Sequence, residues 1–266
     1  MLLVKPGLTC WGYAWQVKPT LALTLCLTLL GGVRAQADPV AALGELLRGG
    51  YYALAAQVEG PQVVRARPRS AEARLLYARA LYLAGGAAEA ERQLTAARAL
   101  SATPEQKRAL EHLGALVQAA RGDAVGAARR LGALYRTAPT YELAMDWGQV
   151  AWQGGELRAA ERAYRAAAAT PRGRREPWPT LNVARLLLQR GDPQGAIRPL
   201  EATLTRLEGN PGDLPSPAYA ETFYRLGQAY EALGDLQAAL PNYQAARSVD
   251  RDYAPALSAL ERLGEP

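Results

Sequence analysis

Cysteine, histidine, methionine and phenylalanine are scarce in this sequence of 266 residues, which contains two, one, two and one of them, respectively. Two cysteines are too few for a disulfide-stapled scaffold or for a zinc site built from cysteine and histidine ligands. A single histidine leaves little material for histidine-based catalysis. The content of 49% hydrophobic and 21% charged residues is that of a folded protein, which excludes a disordered chain.

The first 37 residues have the pattern of a secretory signal peptide. Lys5 and Lys18 precede an apolar run from Thr20 to Leu30, and the segment contains no acidic residue. A run of about 11 residues suits a signal-peptide core and is shorter than the roughly 20 residues that cross a bilayer. We predict cleavage after Ala37, with Ala35 as a second site, and export to the periplasm, the cell envelope or the medium. The alternative is a retained segment that associates the protein with a membrane.

Cleavage changes the charge and the cysteine count of the chain. The leader carries both cysteines, Cys10 and Cys26, and three of the six net positive charges. In the remainder, residues 38–140 hold 14 basic and nine acidic side chains, and residues 141–266 hold 14 and 16. Arginine clusters in three places, residues 65–69, 129–130 and 172–175. Aromatic residues that would stack on bases are not interleaved with these clusters, so we expect no nucleic-acid partner.

Small residues recur at fixed offsets from five regularly spaced glycines. The glycines are Gly85, Gly122, Gly155, Gly191 and Gly234. A small residue stands seven positions before each of them, at Ala78, Ala115, Gly148, Ala184 and Gly227. Alanine stands five positions after each, at Ala90, Ala127, Ala160, Ala196 and Ala239. A large apolar residue stands nine positions after each, at Leu94, Leu131, Tyr164, Leu200 and Tyr243. Such a period is the signature of a repeat architecture.

This pattern predicts helical hairpins. Glycine permits the left-handed backbone that ends a first helix, and four of the five glycines are followed by an acid that can cap or charge the start of a second. The small residues would lie where the two helices cross closely, and the large ones would fill the space between layers. No strand-like alternation of polar and apolar residues occurs, so we predict an all-α fold.

The repeat resembles the tetratricopeptide repeat (TPR), most closely in residues 220–253. The matching residues there are Phe223, Leu226, Gly227, Tyr230, Gly234, Asp235, Ala239, Tyr243 and Ala246. The resemblance implies an α-solenoid of stacked antiparallel hairpins and, with the leader, an exported bacterial protein. We assign five repeats to residues 71–253, a degenerate first hairpin and basic linker to residues 38–70, and a capping helix to residues 254–266. Residues 60–70, 170–179 and 208–217 are expected to be irregular surface segments.

No motif for chemistry appears in the chain. The only imidazole, His112, has no neighbours with the spacing of a catalytic triad or a metal site. The stretch Gly209-Asn210-Pro211-Gly212 lacks the Lys-Ser/Thr pair of a phosphate-binding loop. We therefore predict no catalytic residue, no cofactor and no metal, and we expect the protein not to be an enzyme.

The TPR resemblance implies a binding groove lined by the first helix of each hairpin. Transferred position by position, it places eight candidate partner-binding residues on the groove wall: Tyr82, Met145, Gln149, Trp152, Trp178, Arg185, Tyr224 and Gln228. The same transfer places further residues beside them, namely Glu142, Gln153, Leu181, Leu188, Gln189, Glu221, Glu231 and Ala232, and nearer the N-terminus Leu75, Arg79 and His112. The aromatic residues would anchor a peptide or helix, and the polar ones would bond its backbone. The alternative for each side chain is packing between neighbouring hairpins.

Taken together, these features predict a protein–protein interaction scaffold or adaptor of the bacterial cell envelope. Its partner would be a protein or peptide held in the groove. The main alternative is a basic module that binds an anionic envelope polymer or a membrane surface. An enzyme with a cryptic site is the least favoured alternative.

Overall fold

Thirteen helices make up the part of the chain that the computed structural model describes, residues 38–100, 102–209 and 216–264. In chain order they are α1 (Pro39–Arg48), α2 (three continuous segments, Tyr52–Leu54, Ala55–Glu59 and Gly60–Ala66), α3 (Ala71–Leu83), α4 (Ala87–Arg98), α5 (Pro104–Ala120), α6 (Ala124–Thr137), α7 (Tyr141–Gln153), α8 (Leu157–Ala169), α9 (Trp178–Gln189), α10 (Pro193–Glu208), α11 (Pro217–Ala232), α12 (Leu236–Val249) and α13 (Ala254–Arg262). The predicted signal peptide and residues 210–215 of one predicted loop lie outside the described residues.

The helices pack as consecutive hairpins that stack along one direction. Helix α3 packs on α4, α5 on α6, α7 on α8, α9 on α10 and α11 on α12, and the second helix of each hairpin also touches the first helix of the next. First helices contact one another across hairpins, as in α3–α5, α5–α7 and α9–α11. The described residues contain no strand. The predicted all-α solenoid is therefore confirmed.

The turns within the hairpins follow the predicted chemistry, with one exception. All five predicted glycines have a positive φ, between 74° and 105°. The carboxylates of Asp123, Asp192 and Asp235 each accept the backbone N–H three residues further on, at 2.8–2.9 Å, and so cap the second helix. Glu156 occupies the equivalent position before α8 but makes no such bond. Glutamate is a poor cap because its additional methylene carries the carboxylate past the amide.

The helix crossings contain two matched combinations of residue size. In three hairpins an alanine on the first helix faces a leucine on the second: Ala78 and Leu94, Ala115 and Leu131, and Ala184 and Leu200. In the other two hairpins a glycine takes the place of the alanine and a tyrosine that of the leucine: Gly148 and Tyr164, and Gly227 and Tyr243. All ten residues are buried. A Cβ on Gly148 would lie 2.6 Å from the Tyr164 ring, and one on Gly227 would lie 2.5 Å from the Tyr243 ring. Glycine is needed in those two hairpins because the larger ring occupies the space of a methyl group.

The first hairpin departs from the expectation that residues 60–70 form an irregular surface segment, because α2 continues as helix through Ala66. Pro61 has no N–H for the carbonyl four residues before it, and its ring crowds that carbonyl. The preceding turn, Ala55–Glu59, is accordingly a π-helix. Gly60 is buried against the ring of Tyr77, where a Cβ would overlap ring carbons. Packing on α3 therefore overrides the break that Gly-Pro signals in the sequence.

The C-terminal end of the stack is covered by α13. Its residues Ala256, Ala259 and Leu260 are buried. Both terminal nitrogens of the Arg262 guanidinium contact the Glu231 carboxylate of α11, one of them at 2.8 Å, and the Tyr243 hydroxyl donates to the same carboxylate at 2.6 Å. These bonds, led by the one from Arg262, hold the pKa of Glu231 below its usual value.

We expect the replacement Glu231→Gln to lower the free energy of unfolding by about 1 kcal/mol at pH 7. The loss is modest because Glu231 is partly exposed, and a hydrogen bond to a charged group contributes less at an exposed site than at a buried one. A carboxylate whose pKa is lowered in the folded state stabilises the protein fully above the unfolded-state pKa of about 4.3, and this stabilisation is lost as the pH falls from there through the folded-state pKa. Urea unfolding of wild type and variant at pH 7 and pH 3 checks this. The difference should shrink at pH 3, and an equal difference at both pH values would contradict the role of the charge.

Candidate partner-binding groove

The structure brings three of the eight predicted groove residues into one open pocket. Trp152 comes from α7, Arg185 from α9 and Gln228 from α11, the first helices of three successive hairpins. The pocket has a volume of about 410 Å³, and its remaining lining residues are Leu188, Gln189, Arg225 and Ala232. We call these seven residues the groove pocket.

Trp152 forms one wall of the groove pocket and is held on three sides. Its indole Nε1 donates a hydrogen bond to Gln189 Oε1 at 2.6 Å. The Arg185 guanidinium lies over the indole, with Cζ 4.9 Å from the ring centroid, which is a cation–π geometry. The Tyr164 ring meets it edge-on, with centroids 6.3 Å apart. The indole is therefore held in one orientation by contacts within the chain.

Two arginines in the groove pocket share one carboxylate. Arg185 Nε lies 3.5 Å from Glu221 Oε1, and Arg225 Nη2 lies 3.2 Å from the same oxygen. These three side chains together carry a net positive charge. Arg225 also donates to Gln228 Oε1 at 2.8 Å, and the Gln228 amide donates to the Tyr224 hydroxyl at 2.9 Å. The floor of the pocket is thus a fixed array of donors and acceptors.

The other predicted groove residues outside the pocket are mostly engaged in packing. Gln149 accepts a hydrogen bond from the Tyr164 hydroxyl at 3.3 Å. Tyr224 lies against Tyr243 and Tyr253, with ring centroids 5.7 and 5.8 Å apart. Met145 and Trp178 are partly buried against the large core cluster of the middle hairpins.

Tyr82 belongs to a second polar cluster on the first helices nearer the N-terminus. His112 Nε2 lies 2.7 Å from Asp146 Oδ2, which joins α5 to α7. The pKa of the Tyr82 hydroxyl is raised, chiefly by burial and also by the negative charge of Asp146. The single histidine thus bridges two neighbouring hairpins.

Two polar residues of the groove wall, Arg225 and Asp146, were not predicted from the sequence. Arg225 stands four positions after Glu221 on α11, a spacing that puts opposite charges together on one helix face. That spacing could have pointed to it. Asp146 offers no comparable signal, because its partner His112 is 34 positions away in the sequence.

Two further observations bear on the chemistry of the chain. Within the described ranges, no group of three or more histidine, cysteine, aspartate or glutamate side chains is arranged to hold a metal ion. None of the helices described is both long enough and apolar enough to cross a bilayer.

Comparison with known proteins identifies the architecture. No protein-family model matches the sequence, and no curated protein matches it. Among solved structures, the chain is similar to PilW, a widely conserved type IV pilus biogenesis factor, with a TM-score of 0.65 and 17% identity over 84% of this chain and 96% of that one. It is also similar to PilF of Pseudomonas aeruginosa, with a TM-score of 0.62 and 13% identity over 84% of this chain and 96% of that one.

A third similar structure is that of YrrB, a TPR protein with an unusual peptide-binding site, with a TM-score of 0.57 and 16% identity over 76% of this chain and 97% of that one. The neighbours share the hairpin stacking described above and little sequence. The chain therefore has the fold of a helical solenoid like those of tetratricopeptide-repeat proteins, as the resemblance in its sequence implied.

Proposed function

We propose that the protein is a non-enzymatic interaction scaffold that holds a peptide or helix of a partner protein in the groove pocket. The observation that carries this proposal is the convergence of Trp152, Arg185 and Gln228 from three successive hairpins on one open cavity. A partner lying there would contact several repeats at once, which is how a solenoid offers an extended binding surface.

The chemistry of the pocket suits a polypeptide. The Trp152 face and Leu188 provide apolar contact area, and an oriented aromatic side chain is the usual anchor of a binding hot spot. The amides of Gln189 and Gln228 each have donor and acceptor groups, which can pair with backbone N–H and C=O groups. YrrB, one of the similar structures, is a TPR protein with a peptide-binding site.

The arginine clusters give little support to the alternative function, a basic module that binds an anionic polymer or a membrane surface. Arg130 pairs with Glu111 at 2.8 Å, Arg172 with Glu142 at 2.6 Å, and Arg67 with Asp38 at 3.0 Å. Pairing lowers the net field that such clusters offer to a polyanion. We retain the cell envelope as the proposed location, because the leader pattern of residues 1–37 favours export.

Peptide selection tests the proposal. Peptides selected from a random-peptide phage library on immobilised protein should bind wild type, and the Trp152→Ala variant should weaken their binding at least tenfold in Kd by calorimetry. The expected size follows from the loss of a central aromatic anchor. Arg225→Ala should weaken binding in the same sense, because it removes a donor of the pocket.

The matched control is Arg198→Ala, which removes an exposed arginine from α10, outside the pocket. It should change Kd by less than about twofold, since exposed side chains away from a hot spot contribute little. Circular dichroism would verify that all variants are folded. Selected peptides that bind the Trp152→Ala variant as tightly as wild type would refute the proposed site.

A further inference from the structure

The charged residues that line the groove pocket all have the same sign. Two of the seven lining residues are charged, and both are arginines, Arg185 of α9 and Arg225 of α11. The carboxylate that pairs with them, Glu221, does not line the pocket, and its side chain is 18% exposed, against 23% and 26% for the two arginines. Within the part of the chain that the structure describes, the charged lining of the pocket is therefore wholly positive.

Glu221 balances only one of these two positive charges. Both guanidinium groups reach the same carboxylate oxygen, Oε1, Arg185 through Nε at 3.5 Å and Arg225 through Nε at 3.3 Å and Nη2 at 3.2 Å. One positive charge is left over. Because both arginine side chains are partly buried, water and salt screen this charge less than they would on an open surface. A single negative charge on a ligand would bring the cluster to neutrality.

The Arg225 guanidinium can bind a further acceptor while it keeps the bonds it already makes. Its Nη1 donates to Gln228 Oε1 at 2.8 Å, and its Nη2 donates to Glu221. A guanidinium has five N–H groups, so each of these terminal nitrogens carries a second one. A carboxylate is the acceptor whose two oxygens match two such donors in one plane. The donor geometry therefore suits a carboxylate of the ligand.

The positive part of the groove pocket adjoins its apolar part. Arg185 stacks on Trp152 with Cζ 4.9 Å from the ring centroid, and Leu188 lines the same pocket from the same face of α9. Side chains on one side of an extended peptide are roughly 6.6 Å apart, twice the rise per residue. A carboxylate at the arginines and an apolar side chain on the indole would therefore stand about two positions apart in an extended peptide.

We propose that the groove pocket selects partner segments in which an aspartate or glutamate side chain lies near a large apolar residue. This inference rests on the proposed function and adds the chemistry of the partner to it. The ligand carboxylate would accept hydrogen bonds from Arg225, with Arg185 adding its charge, and the apolar residue would lie on the Trp152 indole. Because the pocket is open, a bound chain can continue past it, and a side chain within the sequence can supply the carboxylate.

Pairs of peptides that differ in one carboxylate test this. In a selected peptide whose binding requires Trp152, the acid is replaced by its amide, Asp by Asn or Glu by Gln, and both forms are titrated by calorimetry. We expect the amide form to bind wild type at least about tenfold more weakly, since hydrogen bonds between charged groups are the strong ones. Against Arg225→Ala the two forms should differ by less than about threefold, because Glu221 then balances the charge of Arg185. The control variant Arg198→Ala should keep the full difference.

The results distinguish the chemistry of the partner from the site itself. Peptides that require Trp152 but bind equally well as acid and amide would overturn the acidic preference and leave the groove site standing. Peptides that bind independently of Trp152 would refute the groove site and the acidic preference with it. Amidation of the peptide C-terminus should change Kd by less than about twofold, as for an exposed charge outside the pocket. Loss of binding on amidation would assign the carboxylate to a chain end and overturn the side-chain assignment.

Discussion

Replacing Tyr243 by alanine is expected to lower the free energy of unfolding by about 3–5 kcal/mol, the range for removing a large buried aromatic side chain. Its ring is fully buried between α11 and α12 and packs against Tyr224. Its hydroxyl donates to Glu231 at 2.6 Å, which ties the last hairpin to the carboxylate that also holds α13. The substitution should therefore loosen the C-terminal end of the stack before the rest, as hydrogen exchange would show.

Tyr243→Phe separates the two contributions. It keeps the ring and removes the bond to Glu231, so we expect a cost of about 1.5–3 kcal/mol, the range for a hydrogen bond to a charged group. Chemical denaturation of wild type and both variants gives the comparison. A phenylalanine variant as unstable as the alanine variant would show that the hydroxyl, and not the ring, is the main contributor.

Gly148→Ala is expected to destabilise the protein by about 1–3 kcal/mol, although alanine normally favours a helix over glycine. The added Cβ would lie 2.6 Å from the buried Tyr164 ring. Combining it with Tyr164→Leu reproduces the Ala–Leu combination of three other hairpins. The double variant should therefore lose less free energy of unfolding than the two single variants lose in sum. We expect a difference of about 1 kcal/mol or more in a double-mutant cycle.

Gly44→Ala is the control for this cycle. Gly44 lies inside α1, and a Cβ there would meet only the end of the flexible Arg48 side chain, at 3.6 Å. The substitution should be neutral or should stabilise by up to about 1 kcal/mol. Strict additivity of Gly148→Ala and Tyr164→Leu would contradict the matched-size explanation of the crossings.

The fold could be predicted from the sequence because each hairpin repeats the same local requirements. A glycine with positive φ, a small residue at the crossing and a large buried residue recur in register, and each of these positions has one physical role. Repetition makes the signal additive over five hairpins. The sequence could not show that the two buried tyrosines require a glycine on the facing helix. This requirement depends on the direction in which each tyrosine ring points and not on residue size alone.

The first hairpin and the pocket show what local pattern cannot supply. The Gly60–Pro61 pair signals a break, but burial of Gly60 against Tyr77 keeps α2 helical. In the groove, the family positions placed Trp152, Arg185 and Gln228 on one wall, and the structure brings them together. The same positions omitted Arg225, because its role arises from Glu221 and Gln228 beside it and not from the repeat.

Nuclear magnetic resonance of the indole N–H groups tests the groove most directly. The chain beyond residue 37 has three tryptophans, Trp147, Trp152 and Trp178. Trp147 packs against Tyr135 and Gly132 and lies outside the groove pocket. Titration with a selected peptide should shift the Trp152 indole resonance, assigned through Trp152→Phe, because the peptide alters its bond to Gln189 and its ring environment. The Trp147 resonance should stay in place. A bound peptide that leaves Trp152 unperturbed would contradict binding in the groove pocket.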